Sequence, residues 1–371
     1  MITNSTDIFS DIRPFNDDEV ESALQHLIND DLFINAVIKY QFSSFPNQLT
    51  WLLRNIIRFW LKRKWSRYHN VHQVQLGIAQ LMHKMIKKTT SGLTYSGLDK
   101  LDKNKSYIFI SNHRDIAMDP AFVNYVLHLH DFDTARIAIG DNLLSLDCAT
   151  YLMRLNKSFI VKRSIKAPRE MLKALTHLSA YIKHSLDEHQ SIWIAQREGR
   201  AKDGNDMTDA AILKMFYVNG RKQKIPFPEY IASLNIVPVS ISYEYDPGDR
   251  AKTIELYIKA TQGGYIKGKQ EDIFSIIRGI IGQKGHVHVS FGTPITSNIT
   301  TPDDLAKQID AQITENFKLY PDNYIAAKVA HPCVTAEKKM TFEKRLNKLP
   351  KEMHSIFQQM YAYPVQKKIK H

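Results

Sequence analysis

The stretch SYIFISNHRDIAMDPAFVNYVLHLH, residues 106–130, decides the architecture of this chain. Residues 107–110 are a short apolar run that stops in polar residues, which is the pattern of a buried strand opening into a loop. From Pro120 onward the apolar residues fall at helical spacing. Strand, polar loop and helix in that order form the repeating step of an α/β fold. Working outward, TARIAIGDN, KSFIVKRS and SIWIAQREG repeat the buried strand with a polar end, and NIVPVSISYEY, TIELYIKA and HVHVSFGTPI read as further strands. Between them, APREMLKALTHLSAYIKHSL spaces its apolar residues near the helical period. The pattern predicts an α/β fold with a central mixed, largely parallel sheet flanked by helices. A helical, basic extension is expected over residues 1–96, the α/β domain over 97–300 and a helical basic tail over 301–371. Thr301 followed by Pro302 marks a helix start, and residues 337–371 read as a solvated terminal helix or a second surface contact.

Composition narrows the class. The 371 residues are 43% apolar and 24% charged, values of a globular chain rather than a disordered one. A formal charge of +12 favours anionic partners: phospholipid surfaces, nucleic acid or phosphorylated substrates. Cys148 and Cys333 are too few for a disulfide framework or a cysteine zinc site, so a reducing compartment is expected. The N-terminus lacks the basic start and apolar run of a secretory signal, and no stretch reaches about 18 uninterrupted apolar residues, so neither secretion nor membrane spanning is expected. Charge is also segregated. Between Asp31 and Asp99 no acid occurs, while Arg54, Arg58, Lys62, Arg63, Lys64 and Arg67 crowd one segment. In LTWLLRNIIRFWLKRKW, residues 49–65, Arg54, Arg58 and Lys62 form one polar stripe, and Leu53, Ile56, Ile57, Trp60 and Leu61 fall on the other side. Two readings stay open: a basic amphipathic helix lying in a headgroup layer, or a helix packed on the α/β domain with a solvated basic edge.

Three strand ends carry unusually polar residues. At the first, His113 has Asp115 and Asp119 nearby, as general-base chemistry requires: one imidazole nitrogen takes a proton while a carboxylate holds the other N–H. The competing reading is a helix cap by Asp115 or Asp119 beside a structural histidine. At the second, Lys162 and Arg163 follow an apolar run. At the third, Arg197, Arg200 and Lys202 surround Gly199. Guanidinium groups and loop N–H groups at strand ends suit a phosphate. His286 and His288 alternate on a strand with Val287 and Val289, and lack a further ligand set, so no metal is expected.

These blocks resemble the glycerolipid acyltransferases, the family of 1-acyl-glycerol-3-phosphate and glycerol-3-phosphate acyltransferases. NHRDIAMDP resembles the family's first block, whose His and Asp form the catalytic pair; SFIVKRS is similar to the second, REGRAKDG to the third and IVPVSISYEY, around Pro238, to the fourth. The resemblance implies His113 as base, with Asp119 orienting it and Asp115 as rival. It also implies Arg163, Lys162, Glu198, Gly199 and Arg200 at the acceptor phosphate. The family usually separates His from Asp by four residues; here Met118 occupies that place and Asp119 lies one further. The third block also lacks the Pro before Glu and the Thr after Gly of the lysophosphatidate enzymes, which leans toward the glycerol-3-phosphate type.

The implied activity is transfer of a fatty acyl group from a thioester, acyl-CoA or acyl carrier protein, to the free hydroxyl of 1-acyl-glycerol-3-phosphate, making phosphatidate. No cofactor is expected. The alternatives are acylation of glycerol-3-phosphate or, in a different class, a non-catalytic basic protein that binds membrane or nucleic acid. The expected partners are the thioester, the lysophospholipid or glycerol phosphate acceptor and an anionic membrane surface, without nucleic acid. The expected place is the cytoplasmic face of a membrane, held peripherally.

Overall fold

The computed structural model describes residues 7–42, 50–268 and 270–370; the first six residues and Leu49, on which parts of the N-terminal reading rest, lie outside them. In chain order the elements are α1 (Val20–Asn29), α2 (Asp31–Gln41), α3 (Thr50–Trp65), α4 (Val71–Thr89), β1 (Gly92–Ser96), β2 (Ile108–Ser111), α5 (Met118–Leu129), β3 (Arg136–Gly140), α6 (Asp147–Leu155), β4 (Ser158–Val161), α7 (Pro168–Asp187), β5 (Ile192–Ala195), α8 (Ala210–Lys222), α9 (Phe227–Ala232), β6 (Ile236–Tyr243), α10 (Asp249–Gln262), α11 (Glu271–Ile281), β7 (His286–Phe291), α12 (Pro302–Asn316), α13 (Pro321–Ala327), α14 (Ala336–Leu346) and α15 (His354–Lys370). The α/β class is as expected. The compact units are drawn differently from the expected segments: one comprises Met1–Leu81 and Ala135–Tyr181, the other Met82–Thr134 and Ile182–His371.

In the first unit β3 and β4 pair in parallel, with Ile139 opposite Ile160. Around them α1, α2, α3 and α6 enclose two apolar clusters, one on Val20, Leu24, Leu27 and Leu155, the other on Ile28, Ile34, Ile38, Ile57 and Leu61. The helix read from residues 49–65 forms, and the structure decides which of its faces turns inward. Arg54 and Arg58 turn back onto α2, where both pair with Asp31 and Arg58 also donates to the Ile28 carbonyl at 3.2 Å. Of the residues read opposite the cations, Ile57 and Leu61 are buried, while Ile56 and Trp60 are exposed together with Trp51, Leu52 and Phe59. The acids clustered before residue 32 explain this: Asp31 draws the guanidinium stripe inward, so the aromatic stripe is left facing solvent.

In the second unit the strand order is β1-β7-β6-β2-β5. β6, β2 and β5 run parallel, β1 runs parallel to β7, and only the β6–β7 pair is antiparallel. The residues of β2, β5 and β6 are mostly apolar and almost all buried, as the middle of a sheet covered on both faces requires, whereas β1 at the edge is partly exposed. α12 starts where expected: Thr301 Oγ1 accepts the Asp304 N–H at 3.1 Å and the Asp304 carboxylate reaches back to the Thr301 N–H.

Two expectations are corrected here. TIELYIKA is not a strand but the middle of α10. Its alternating Ile254, Leu256 and Ile258 suggested period two, yet the residues that bury are Asp249, Lys252, Thr253 and Glu255. The helix packs a polar face on a polar surround, a pattern that apolar periodicity cannot register. The C-terminal tail is likewise not a solvated helix. α14 and α15 share a core with α13, in which Ala326, Phe342, Leu346, Phe357, Met360 and Tyr361 are buried.

Candidate active site

Because β2, β5 and β6 are parallel, their carboxyl ends lie on one edge of the sheet, where ligands of α/β proteins gather. Each end contributes. After β2, the Asn112 side chain imitates one more strand residue, donating to the Ile241 carbonyl at 3.0 Å and accepting the Ile241 N–H at 2.8 Å. This pins the point where the chain leaves the sheet and sets His113 at its rim.

The His113 Nδ1 stands 2.9 Å from Asp119 Oδ2, and the carboxylate is fully buried. The same oxygen accepts the backbone N–H groups of Arg114 at 2.6 Å and Asp115 at 2.9 Å. Its partner Oδ1 accepts the Tyr243 hydroxyl at 2.7 Å from the end of β6. Asp119 thus has a single rotamer, which fixes the imidazole. With Nδ1–H donated to a carboxylate, the lone pair sits on Nε2, which has no hydrogen bond among the described residues. Trp193 meets the ring edge-on, centroids 5.8 Å apart.

Asp115 does something else. Its Oδ1 accepts the N–H groups of Ala117 at 3.1 Å and Met118 at 2.9 Å, satisfying the free amides at the start of α5. The rivalry between the two acids therefore resolves by geometry: Asp119 meets the imidazole and Asp115 caps the helix. The extra residue between His and Asp is taken up in this turn. Burial, reinforced by the neighbouring Asp119 charge, pushes the Asp115 carboxyl up to about 6.

The third block passes beside the histidine, since the Ala201 N–H donates to the His113 carbonyl at 2.9 Å. Gly199 makes that return possible with φ +73°, a left-handed conformation, and a side chain there would meet nothing. Glu198 and Gly199 are exposed, and Arg200 donates to Ser275 Oγ at 2.6 Å. Arg197 is half-buried with no partner among the described residues. Lys202 pairs with Glu255 instead of facing the loop. Lys162 and Arg163 belong to the first unit. There Lys162 Nζ is tied to Asp11 at 2.6 Å, and the Arg163 and Ser164 N–H groups donate to Asp141 at 3.1 and 3.2 Å.

Several residues supporting the site were not singled out from sequence. Arg114, buried next to the histidine, pairs with Asp206 and donates to the Gly204 carbonyl at 3.3 Å. Lys252 Nζ donates to the Arg114 carbonyl at 2.7 Å and pairs with Asp246. Desolvation pushes Asp246 up, but Lys252 outweighs it and holds the carboxyl below the ordinary range. Behind these, Arg345 of α14 pairs with Asp249 and Asp322 and bonds the Tyr361 hydroxyl. Tyr243 alone left a trace in the sequence, because the alternation of β6 puts it on the face of Val239 and Ile241 at the strand's polar end. Among the described residues no three metal-ligating side chains cluster; His288 bonds Thr94 at 2.8 Å and Ser96 at 3.1 Å.

Residues 92–242 match the family model described as Acyltransferase. No curated protein matches the chain. Among solved structures it is similar to the 1-acyl-sn-glycerophosphate acyltransferase PlsC from Thermotoga maritima, at 13% identity and a TM-score of 0.37, covering 80% of this chain and 93% of that one.

Proposed function

We propose that this chain, an acyltransferase across residues 92–242, moves a fatty acyl group from a thioester to the free hydroxyl of 1-acyl-glycerol-3-phosphate, forming phosphatidate. The observation that carries the reading is the buried Asp119 carboxylate on His113 Nδ1, which leaves Nε2 to take a proton. The acceptor hydroxyl gives its proton to Nε2 as its oxygen attacks the thioester carbonyl carbon. Asp119 stabilises the imidazolium that forms. The tetrahedral intermediate collapses with cleavage of the carbon–sulfur bond, and Nε2–H returns the proton to the departing thiolate. Ester and free thiol are the products, and no acyl-enzyme is formed. A base so placed contributes about 10²–10⁴-fold.

The acceptor phosphate is assigned to Arg200 and to the N–H groups around Gly199, on the loop that bonds the His113 carbonyl, with Glu198 orienting that loop. Arg163 and Lys162 are proposed as phosphate ligands on their sequence block alone. A second reading, glycerol-3-phosphate as acceptor, is favoured by Arg197 and Arg200 flanking the Glu-Gly pair. Peripheral attachment at the cytoplasmic face of a membrane is assigned to α3. Its exposed Trp51, Phe59 and Trp60 and neighbouring Lys62 and Arg63 have the chemistry of an interfacial helix, and among the described residues no helix is long and apolar enough to cross a bilayer.

The test is purified protein with acyl-CoA or acyl carrier protein thioester and a panel of acceptors, products read by mass spectrometry. Phosphatidate from 1-acyl-glycerol-3-phosphate is expected. Preference for glycerol-3-phosphate would transfer the assignment to the second reading, and absence of thioester-dependent acylation of any phospholipid precursor would reject both.

A further inference from the structure

α11 is built the reverse of an ordinary surface helix. Ser275 and Gly279, four residues apart, are its buried residues, while Phe274, Ile277 and Ile281 are 56%, 45% and 56% exposed. That spacing makes the three large side chains one continuous stripe. The small face has a visible purpose. Ser275 Oγ accepts from Arg200, and a Cβ on Gly279 would come within 2.3 Å of Asp115 Oδ2, so only small residues let the helix lie against the catalytic loop. The large face is left exposed among the described residues. The segment leading into the helix enlarges it: Ile266 is 97% exposed, and the Tyr265 hydroxyl and Gly268 N–H both bind Glu271, tying that segment to the helix start.

Charge identifies what the stripe meets. Of the two acids of α11, Asp272 is paired with Lys267, and Glu271 is held by those two bonds with its charge kept. Arg278, beside Ile277 on the exposed surface, has no partner among the described residues. An exposed apolar stripe with an unpaired arginine beside it complements anionic headgroups over acyl chains.

We propose that Ile266 and the Phe274, Ile277 and Ile281 face of α11 dock into an anionic bilayer surface, setting the Arg200 and His113 loops at the level of lipid headgroups. The acceptor then reaches the site from the membrane without crossing water. This rests on the reading of a lipid hydroxyl as acceptor; the docking itself is measurable without turnover.

The experiment uses the full chain in a Cys148→Ser, Cys333→Ser background, with an environment-sensitive fluorophore at Ile277→Cys or, as a control on exposed surface of α12, at Asp303→Cys. Vesicles of phosphatidylcholine alone and with phosphatidylglycerol are added. A blue shift at 277 that needs phosphatidylglycerol, is quenched by acyl-chain-brominated lipid and is missing at 303 is expected. Absence of the shift at 277, or a shift that follows protein concentration without vesicles and so reports a second copy, overturns the proposal. Phe274→Ser, Ile277→Ser and Ile281→Ser combined should lower activity on vesicle-presented acceptor by about tenfold or more, from the apolar burial lost, with activity on a short-chain soluble acceptor unchanged. Equal loss on both acceptors overturns it as well. Should the parent protein acylate no acceptor, the acyltransfer reading falls and the fluorophore alone decides the docking.

Discussion

Replacing Asp119 by Asn tests the proposed chemistry with the least disturbance of the fold. Three donors converge on Oδ2, namely His113 Nδ1–H and the N–H groups of Arg114 and Asp115, so the amide must place its oxygen there and turn its NH₂ toward Tyr243. The Tyr243 hydroxyl can then rotate to accept. Shape and capping survive; what disappears is the negative charge facing the imidazole. If Asp119 stabilises the imidazolium as the acceptor is deprotonated, kcat should fall about 10²–10⁴-fold, a barrier increase of about 3–5 kcal/mol, with KM for the acceptor little changed. The assay is release of free thiol from the acyl thioester, followed continuously with a thiol reagent. His113→Ala should reach a similar residual rate, and the double variant should lose little more, because the two residues act as a unit. A rate for Asp119→Asn within about threefold of the parent, or fully additive losses in the double variant, would refute the reasoning and return Asp119 to a capping role.

Tyr243→Phe removes the one donor that the buried Oδ1 has among the described residues; a stability loss of about 1.5–3 kcal/mol is expected in urea unfolding. Arg345→Met leaves Asp249 and Asp322 buried without their cation, so the denaturation midpoint should drop by the equivalent of about 3–5 kcal/mol, although no atom of Arg345 bonds His113 or Asp119. Asp115 titrates near 6 in the folded protein against an ordinary 3.8, so the folded state holds the proton more tightly than the unfolded chain. Its contribution to stability is therefore greatest below about pH 4 and declines by about 3 kcal/mol as pH rises through 6. Asp115→Asn keeps the capping oxygen and should abolish that part of the decline in unfolding measured from pH 4 to 8.

Much of the fold was legible because apolar periodicity reports burial directly. The run at residues 107–110 became β2, and Thr301 with Pro302 became the capped start of α12. Legibility failed wherever polar residues do the burying. α10 hides Asp249, Lys252 and Glu255, and its apolar alternation imitated a strand. The basic tail proved a core because its charges, Arg345 and Lys338, are taken up by Asp249, Asp322 and Glu244 far away in sequence. For α3, helical spacing gave two opposed stripes but not which one faces inward. That was decided by Asp31 on the preceding helix.

By itself the sequence determined that a histidine follows a buried strand at the carboxyl edge of an α/β sheet, with acids and arginines within a few residues. These are local facts, written in the order of residue types. Only the tertiary structure decided that Asp119 and not Asp115 holds the imidazole, and that a tyrosine from β6 fixes that carboxylate. Which oxygen meets which donor depends on where separate strand ends are brought in space, and the strands that supply them are set side by side only by the pairing of the sheet.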